Sequence, residues 1–439
     1  MESTITRFIH PNIGVAESGR LAFAGEDVVP LAEEYGTPLM LFDEDLIRSR
    51  MREYSDLCRR EFGGASGPLY ASKALSIRHI YRIAAEEGMR IDCVSPWELA
   101  IAVDAGFPAE RAYLHGNCKT DSDLRMALDL GVGYIVADSR EELHALDALC
   151  RERGIRQKVL LRLTPGIDPH THAKISTGQV DSKFGVPIET GDALEFARLA
   201  LSLERIELCG YHCHVGSQVF TPDVFLDAAR IMLDFSAEAR DKLGFEAATV
   251  NLGGGFGVRY VADDPEIDRP AIIAAIGERV RAICAENGLK VPEILFEPGR
   301  SIVADAGMTV YTVGSVKTIP GFRTYVSIDG GMTDDPRYAL YGSKYTVYNA
   351  DRPTDEADCV CTIAGRCCES GDLIAEGVSI PRPERGDHIA VAVTGAYNYS
   401  MASHYNRVPL PTVLFITREY GAKIAAIRET VANMTAAEV

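Results

Sequence analysis

Eight times between Pro68 and Gly299 the chain repeats one unit: a short apolar run, a polar or glycine-bearing corner, and then an amphipathic helical stretch. Apolar runs of strand length alternating with helical periodicity predict parallel strands joined by helices. The runs are PLYASKA from Pro68, RIDCVS from Arg90, AYLHGN from Ala112, YIVAD from Tyr134, KVLLRL from Lys158, LCGYHCH from Leu208, TVNLGGG from Thr249 and EILFEPG from Glu293. Eight units predict an α/β fold closed as a (β/α)8 TIM-like barrel. A doubly wound open sheet is the alternative, but the runs carry no dinucleotide fingerprint and their number favours closure. The intervening helices are well marked, for example DSDLRMALDLG from Asp121, and SREELHALDALCRERG, where Ser139 and Glu142 have the spacing of a capping box.

After Arg300 the texture changes to β-branched segments broken by turn residues, such as MTVYTVGSVKTI, TYVSIDGG, CVCTIAG and HIAVAVTGAY, which predict a mainly antiparallel β domain. A chain of 439 residues is long enough for two cores. The expected division is a barrel over 37–302 and a β domain formed by 1–36 and 303–439, the latter completing the active site. The formal charge of −18 opposes general attraction to nucleic acid or to an anionic membrane surface, and so favours a small-molecule partner. The opening MESTITRFIH has no basic region followed by an apolar one, and no apolar run reaches membrane-spanning length, so the expectation is a cytoplasmic protein. Its 11 cysteines lack zinc-ligand spacing and are expected to be reduced.

In a barrel the site forms at the C-terminal ends of the strands, so the residues that close each run are the informative ones. Here they are Lys73, Ser95, Asn117, Asp138, Arg162, His214, the triplet Gly253 to Gly255, and Glu297. Lys73, at the end of an apolar run, is placed to be partly desolvated, which favours the free amine that Schiff-base chemistry requires. Alone it reads more readily as a surface lysine at a strand end. Gly254 and Gly255 follow the seventh run, where backbone amides can approach a phosphate without interference from Cβ, and Ser217 can add a hydroxyl. A glycine triplet alone is more often a tight turn. Glu297 can hold a pyridine nitrogen protonated, although with Arg300 it also reads as an ordinary surface pair. His214 can stack on a flat ring, whereas His212 points the other way along a strand and reads as structural.

Taken together these segments resemble the fold-type III pyridoxal-phosphate-dependent decarboxylases, and among them the diaminopimelate decarboxylases. YASKA, DCVSPWEL, HGNCKT, DPHTHAKISTGQVDSKFG, GYHCHVGSQ, VNLGGGFG, EPGR, IDGGMTDDPRYALYG, CCESGD and GAYNYSMASHYNRVPLP match the family pattern in order, from about Tyr70 to Pro411. The resemblance implies that Lys73 carries pyridoxal 5'-phosphate as a Schiff base and that His214 stacks on its ring. It further implies that Gly254, Gly255 and the turn of Glu297, Gly299 and Arg300 hold phosphate and ring, with Glu297 on the pyridine nitrogen. Cys368 matches the family's catalytic cysteine, which returns a proton after carbon dioxide leaves, and Tyr397 a tyrosine that binds cofactor and substrate. Cys368, Glu369 and Tyr397 lie in motifs lent across a dimer interface, which implies a homodimer with shared sites. The chain departs from the pattern at Leu75, Pro96, Trp97 and Cys118.

The implied reaction converts meso-2,6-diaminopimelate to L-lysine and carbon dioxide, the last step of lysine biosynthesis. Such a substrate carries an ammonium and a carboxylate at its remote end. Arg300, Arg337 and Tyr341 can take the carboxylate and Glu369 the ammonium. Alternatively, Arg337 is a solvated loop arginine beside Asp334 and Asp335. The competing functions are decarboxylation of D-ornithine, D-lysine, arginine or carboxynorspermidine, a racemase, for which an arginine at the ring nitrogen would suit better than Glu297, and an inactive relative acting as a binding protein. No metal is expected.

Overall fold

The computed structural model describes residues 8–64, 66–167 and 181–439, so part of the DPHTHAKISTGQVDSKFG motif, residues 168–180, lies outside the described residues. The chain divides into two compact units: 50–257 with 266–299, and 1–49 with 258–265 and 300–439.

The first unit is a closed barrel of eight parallel strands: β1 (Gly67–Ala71), β2 (Arg90–Cys93), β3 (Ala112–Leu114), β4 (Tyr134–Ala137), β5 (Gln157–Thr164), β6 (Ile206–His212), β7 (Thr249–Asn251) and β8 (Glu293–Phe296). They pair in chain order, and β8 returns to β1 through Leu295↔Gly67 and Phe296↔Pro68, so the sheet has no free edge. Each strand coincides with one of the eight expected runs. The interior is filled by Leu69, Tyr113, Val136, Leu160 and Leu295, each at most 1% exposed, with Tyr134 and Cys209 packed against them. Burial stabilises by about 1.5–3 kcal/mol per large apolar side chain. Tyr113 and Tyr134 stack with centroids 4.3 Å apart. All 11 cysteines are free thiols.

The helices begin where capping chemistry allows. Thr120 and Asp123 form a reciprocal capping box on Asp121–Asp129. At Arg140–Arg153 only half the expected box forms: the Ser139 side chain accepts from Glu142 N–H, but the Glu142 carboxylate turns instead to Lys119 Nζ at 2.8 Å and to the Asp138 N–H. A buried ammonium at that distance outcompetes a backbone amide.

The second unit is built on a nine-stranded, mainly antiparallel sheet. Its order is Leu373–Ile380, Cys359–Ala364, Arg323–Ile328, Gly307–Ile319, Leu39–Asp43, Thr412–Thr417 and Gly421–Ala426, with His388–Ala392 also on Gly307–Ile319 and Val347–Asn349 beyond it. The division of the chain differs from the expected one. Leu39–Asp43 belongs to this sheet, where Met40 pairs with Thr309 on one side and Val413 on the other, and the barrel unit starts only at Arg50. A fully buried apolar strand reads alike in either setting, because periodicity does not name its partners. No helix among the described residues is long and apolar enough to cross a membrane.

Candidate active site

The barrel register dictates which side chains meet. Across the fifth, sixth and seventh strands, Arg162 pairs with His212 and His212 with Asn251, so these three polar residues form one row. Glu297 follows β8 and faces this row. Glu297 is 6% exposed, with Asn251 Nδ2 donating to Oε1 at 2.8 Å and His212 Nε2 hydrogen-bonded to Oε2 at 3.3 Å. His115 Nε2 lies 3.2 Å from Oε1 as well. Burial pushes the Glu297 carboxyl up, but His212 and His115 overcome it and hold the group well below the usual carboxylate range. Burial in turn pushes His212 down to about 4, so it is a neutral donor. The expectation that His212 is merely structural is corrected. His214 lies beyond the strand end, where strict alternation no longer holds, and His212 itself reaches Glu297.

Lys73 sits half-buried on the short helical turn Ser72–Ala74 directly after β1. Gly299 explains how the Glu297 turn comes so close to it. A Cβ there would stand 2.9 Å from Ala71 Cβ and 3.0 Å from Ala74 Cβ, and Ala71 N–H donates to Pro298 O. His214 accepts from Gly254 N–H through Nδ1 at 3.2 Å, which fixes the ring plane and leaves Nε2 protonated. Desolvation, then the Lys73 charge, pushes its pKa well down, so the imidazole is neutral.

The glycine triplet is required rather than incidental. Gly253 N–H donates to Asn251 Oδ1, and a Cβ on Gly254 would lie 2.1 Å from Glu297 O. At Gly255, φ is +109° and a Cβ would meet Gly216 O at 2.3 Å. Ser217 follows that contact, half-buried. The result is a cradle of main-chain atoms free of side chains beside an amine and a buried carboxylate.

The second unit presents a separate cluster. Arg300, 6% exposed, donates through Nη1 to Tyr260 Oη at 2.7 Å, and its guanidinium lies 4.8 Å from the Tyr397 ring centre. Arg337 lies over the same ring at 5.1 Å and over Tyr341 at 5.0 Å. Burial opposes the charge on Arg300, but the hydroxyls of Tyr260 and Tyr397 raise its pKa, so it stays charged. Arg337, on the turn Arg337–Tyr341, is 7% exposed and is therefore not a solvated loop arginine. Tyr397 adopts φ +69°, a left-handed conformation that a tyrosine rarely takes. Cys368 and Glu369 behave differently: both are exposed, with Asn406 Oδ1 accepting from Cys368 N–H and Tyr405 Oη donating to Glu369 Oε2. No described contact joins them to Arg300, Arg337 or Tyr397.

The sequence reading missed His115, Asp92 and Asn251 as members of the site. His115 was visible in HGNCKT, but it was passed over for Asn117 because that residue ends the run. Among the described residues, His115, His212 and Glu297 are also the one group whose ligand atoms lie close enough to hold a metal, within 4.8 Å of one another. Their separations match a carboxylate that accepts hydrogen bonds.

A family model for pyridoxal-dependent decarboxylases, pyridoxal-binding domain, matches residues 45–304. The diaminopimelate decarboxylase of Bacillus subtilis is 45% identical over 424 residues, covering 96% of each chain. That of Mycobacterium tuberculosis is 40% identical over 432 residues, with 96% of each covered. The crystal structure of diaminopimelate decarboxylase from M. jannaschii superposes with a TM-score of 0.90 at 32% identity, covering 98% of both chains. The Helicobacter pylori enzyme complexed with L-lysine superposes with a TM-score of 0.83 at 30% identity, over 93% of this chain and 98% of that one. With this extent of identity, the chain belongs to the pyridoxal-dependent decarboxylases, and among them to the diaminopimelate decarboxylase family.

Proposed function

We propose that this protein decarboxylates meso-2,6-diaminopimelate to L-lysine and carbon dioxide, with pyridoxal 5'-phosphate held in the barrel and Lys73 as the residue that carries it. The observation that carries this reading is the barrel end itself: an amine on the first strand's turn, a carboxylate held ionised inside a buried donor set, and a side-chain-free main-chain cradle between them. These features fit a phosphorylated pyridine aldehyde in shape and charge. Gly254, Gly255 and Ser217 would hold the phosphate, His214 the ring face, and Glu297 the ring nitrogen. The chemistry supplied by the bound cofactor is an electron sink for the pair left when the carboxylate departs as carbon dioxide.

The chain's own residues do the rest. Lys73 would supply the amine that holds the cofactor's aldehyde carbon. Arg300, Arg337, Tyr341 and Tyr397 receive the remote carboxylate, and two guanidiniums about one tyrosine ring suit a planar anion. Glu369 takes the remote ammonium. Cys368 returns a proton to the carbon that lost the carboxylate. The exposure of Cys368 and Glu369 supports a homodimer in which each subunit lends both residues to its partner's site. Eleven free thiols suit a cytoplasmic location.

The test is carbon dioxide release from meso-diaminopimelate by protein supplied with pyridoxal phosphate, with L-lysine formed in equal amount. Lys73→Ala should lose both the visible cofactor absorbance and turnover. Change of optical rotation without carbon dioxide would mean a racemase instead.

A further inference from the structure

The buried donors around Glu297 do not contribute equally. Asn251 Nδ2 donates to Oε1 at 2.8 Å, His212 Nε2 is hydrogen-bonded to Oε2 at 3.3 Å, and His115 Nε2 lies 3.2 Å from Oε1. His212 is the one described side chain hydrogen-bonded to Oε2, and Asn251 the one hydrogen-bonded to Oε1. Each oxygen of an ionised carboxylate carries two lone pairs, so Oε2 can accept a further N–H beside His212.

His115 is the least expected of the three. It lies just past β3, 4% exposed, with its main-chain N–H donating to Cys93 O at 2.7 Å and its ring edge-on to His212 at 4.7 Å. Its Nε2 faces a second carboxylate as well, Asp92 Oδ1 at 3.6 Å, on a side chain 1% exposed. Neither contact is a well-aligned hydrogen bond by itself, which is the geometry of one N–H shared between two acceptors. Without that proton, the lone pair of Nε2 would confront two buried carboxylates. Burial raises the Asp92 pKa, and His115, Lys73 and Arg162 oppose that rise.

We propose that His115, backed by Asp92, is a positioning residue: its Nε2–H, shared between the two carboxylates, fixes Glu297 as an anion with Oε2 turned to the cofactor's ring nitrogen. This inference rests on the reading that pyridoxal phosphate occupies the barrel. In the loaded protein, His115 acts on the cofactor only through Glu297, and Asp92 acts one step further back by keeping the proton on Nε2 rather than Nδ1.

The experiment uses 15N-labelled pyridoxal phosphate bound to the wild-type protein and to His115→Leu, His115→Gln, His115→Asn and Asp92→Asn. The nitrogen chemical shift reports ring protonation, and equilibrium dialysis gives cofactor affinity. The wild-type ring nitrogen should be protonated. His115→Leu should move the shift toward the unprotonated form and weaken affinity by about tenfold or more, the loss of one hydrogen bond to a charged group. His115→Gln, whose amide reaches the place of Nε2, should restore both. His115→Asn, which reaches only the place of Nδ1, should not, and Asp92→Asn should shift the signal in the same direction as His115→Leu. If His115→Leu fails to fold, the Gln and Asn pair decides: equal behaviour overturns the proposal, as does a His115→Leu protein with the wild-type shift and affinity. A wild-type protein that does not bind the cofactor, or binds it unprotonated, overturns the underlying reading instead.

Discussion

Glu297 and Glu369 are both carboxylates with a place in the proposed reaction, and the chain holds them in opposite ways. Glu297 is enclosed by the ends of four barrel strands, and its charge is stabilised by Asn251, His212 and His115. Glu369 stands exposed, with one tyrosine hydroxyl 3.2 Å away. Cys368 beside it is exposed as well, and its main chain is held by Asn406. A group that must meet a fixed cofactor atom can be preorganised completely within one fold. A group that must meet substrate, or another subunit, stays solvated until that partner arrives.

The contrast can be broken by mutation, beginning where the effect is largest. Glu297→Ala removes a preorganised charge from a water-excluded site, and we expect kcat to fall by about a thousandfold together with cofactor affinity measured by dialysis. If affinity and rate survived, the enclosure of Glu297 would be structural only. Cys368→Ala should lower kcat by about a hundredfold, the scale of a lost general acid, with cofactor absorbance unchanged. Mixing inactive Lys73→Ala with Cys368→Ala subunits should then restore up to about a quarter of wild-type turnover, because half the dimers are mixed and each mixed dimer holds one intact site. A mixture no better than its components would place Cys368 in its own subunit's site. Glu369→Ala should raise KM for diaminopimelate by about tenfold, leaving the absorbance spectrum as it was.

A smaller effect distinguishes the acids buried in the second unit. Burial pushes Asp334 and Asp335 up to about 7, from about 3.9 in an unfolded chain. Between these values the folded state binds more protons than the unfolded one, so stability falls as pH rises from about 4 to about 7 and is level above. Asp335→Asn should make that slope shallower in urea titrations across this range. An unchanged slope would mean that Asp335 does not titrate there.

The barrel was legible because a buried parallel strand is an unbroken apolar run and its C-terminal end breaks into polar residues. That pattern placed Lys73, Glu297, Gly254 and Gly255 at strand ends, while their proposed roles came from the resemblance. The segment LMLFD at Leu39–Asp43 could not be assigned to its sheet, since its partners Thr309 and Val413 are hundreds of residues away. His115 was overlooked for a related reason: its importance lies in reaching Asp92 and Glu297 from neighbouring strands, which register decides and spacing does not. The half-made box at Ser139 shows the same limit, because Lys119, the residue that diverts Glu142, comes from another element. Arg337 is the converse case. Beside two aspartates it also read as a surface arginine, and only its burial over Tyr341 and Tyr397 removes that reading.

The most direct test of the account is kcat/KM for meso-diaminopimelate against D-lysine, which keeps the reacting carbon and the remote amine but lacks the remote carboxylate. With Arg300 and Arg337 answering that carboxylate, diaminopimelate should be preferred by about a hundredfold or more, and Arg337→Leu should erase most of the difference. Equal rates for the two substrates, or a preference for D-lysine, would contradict it.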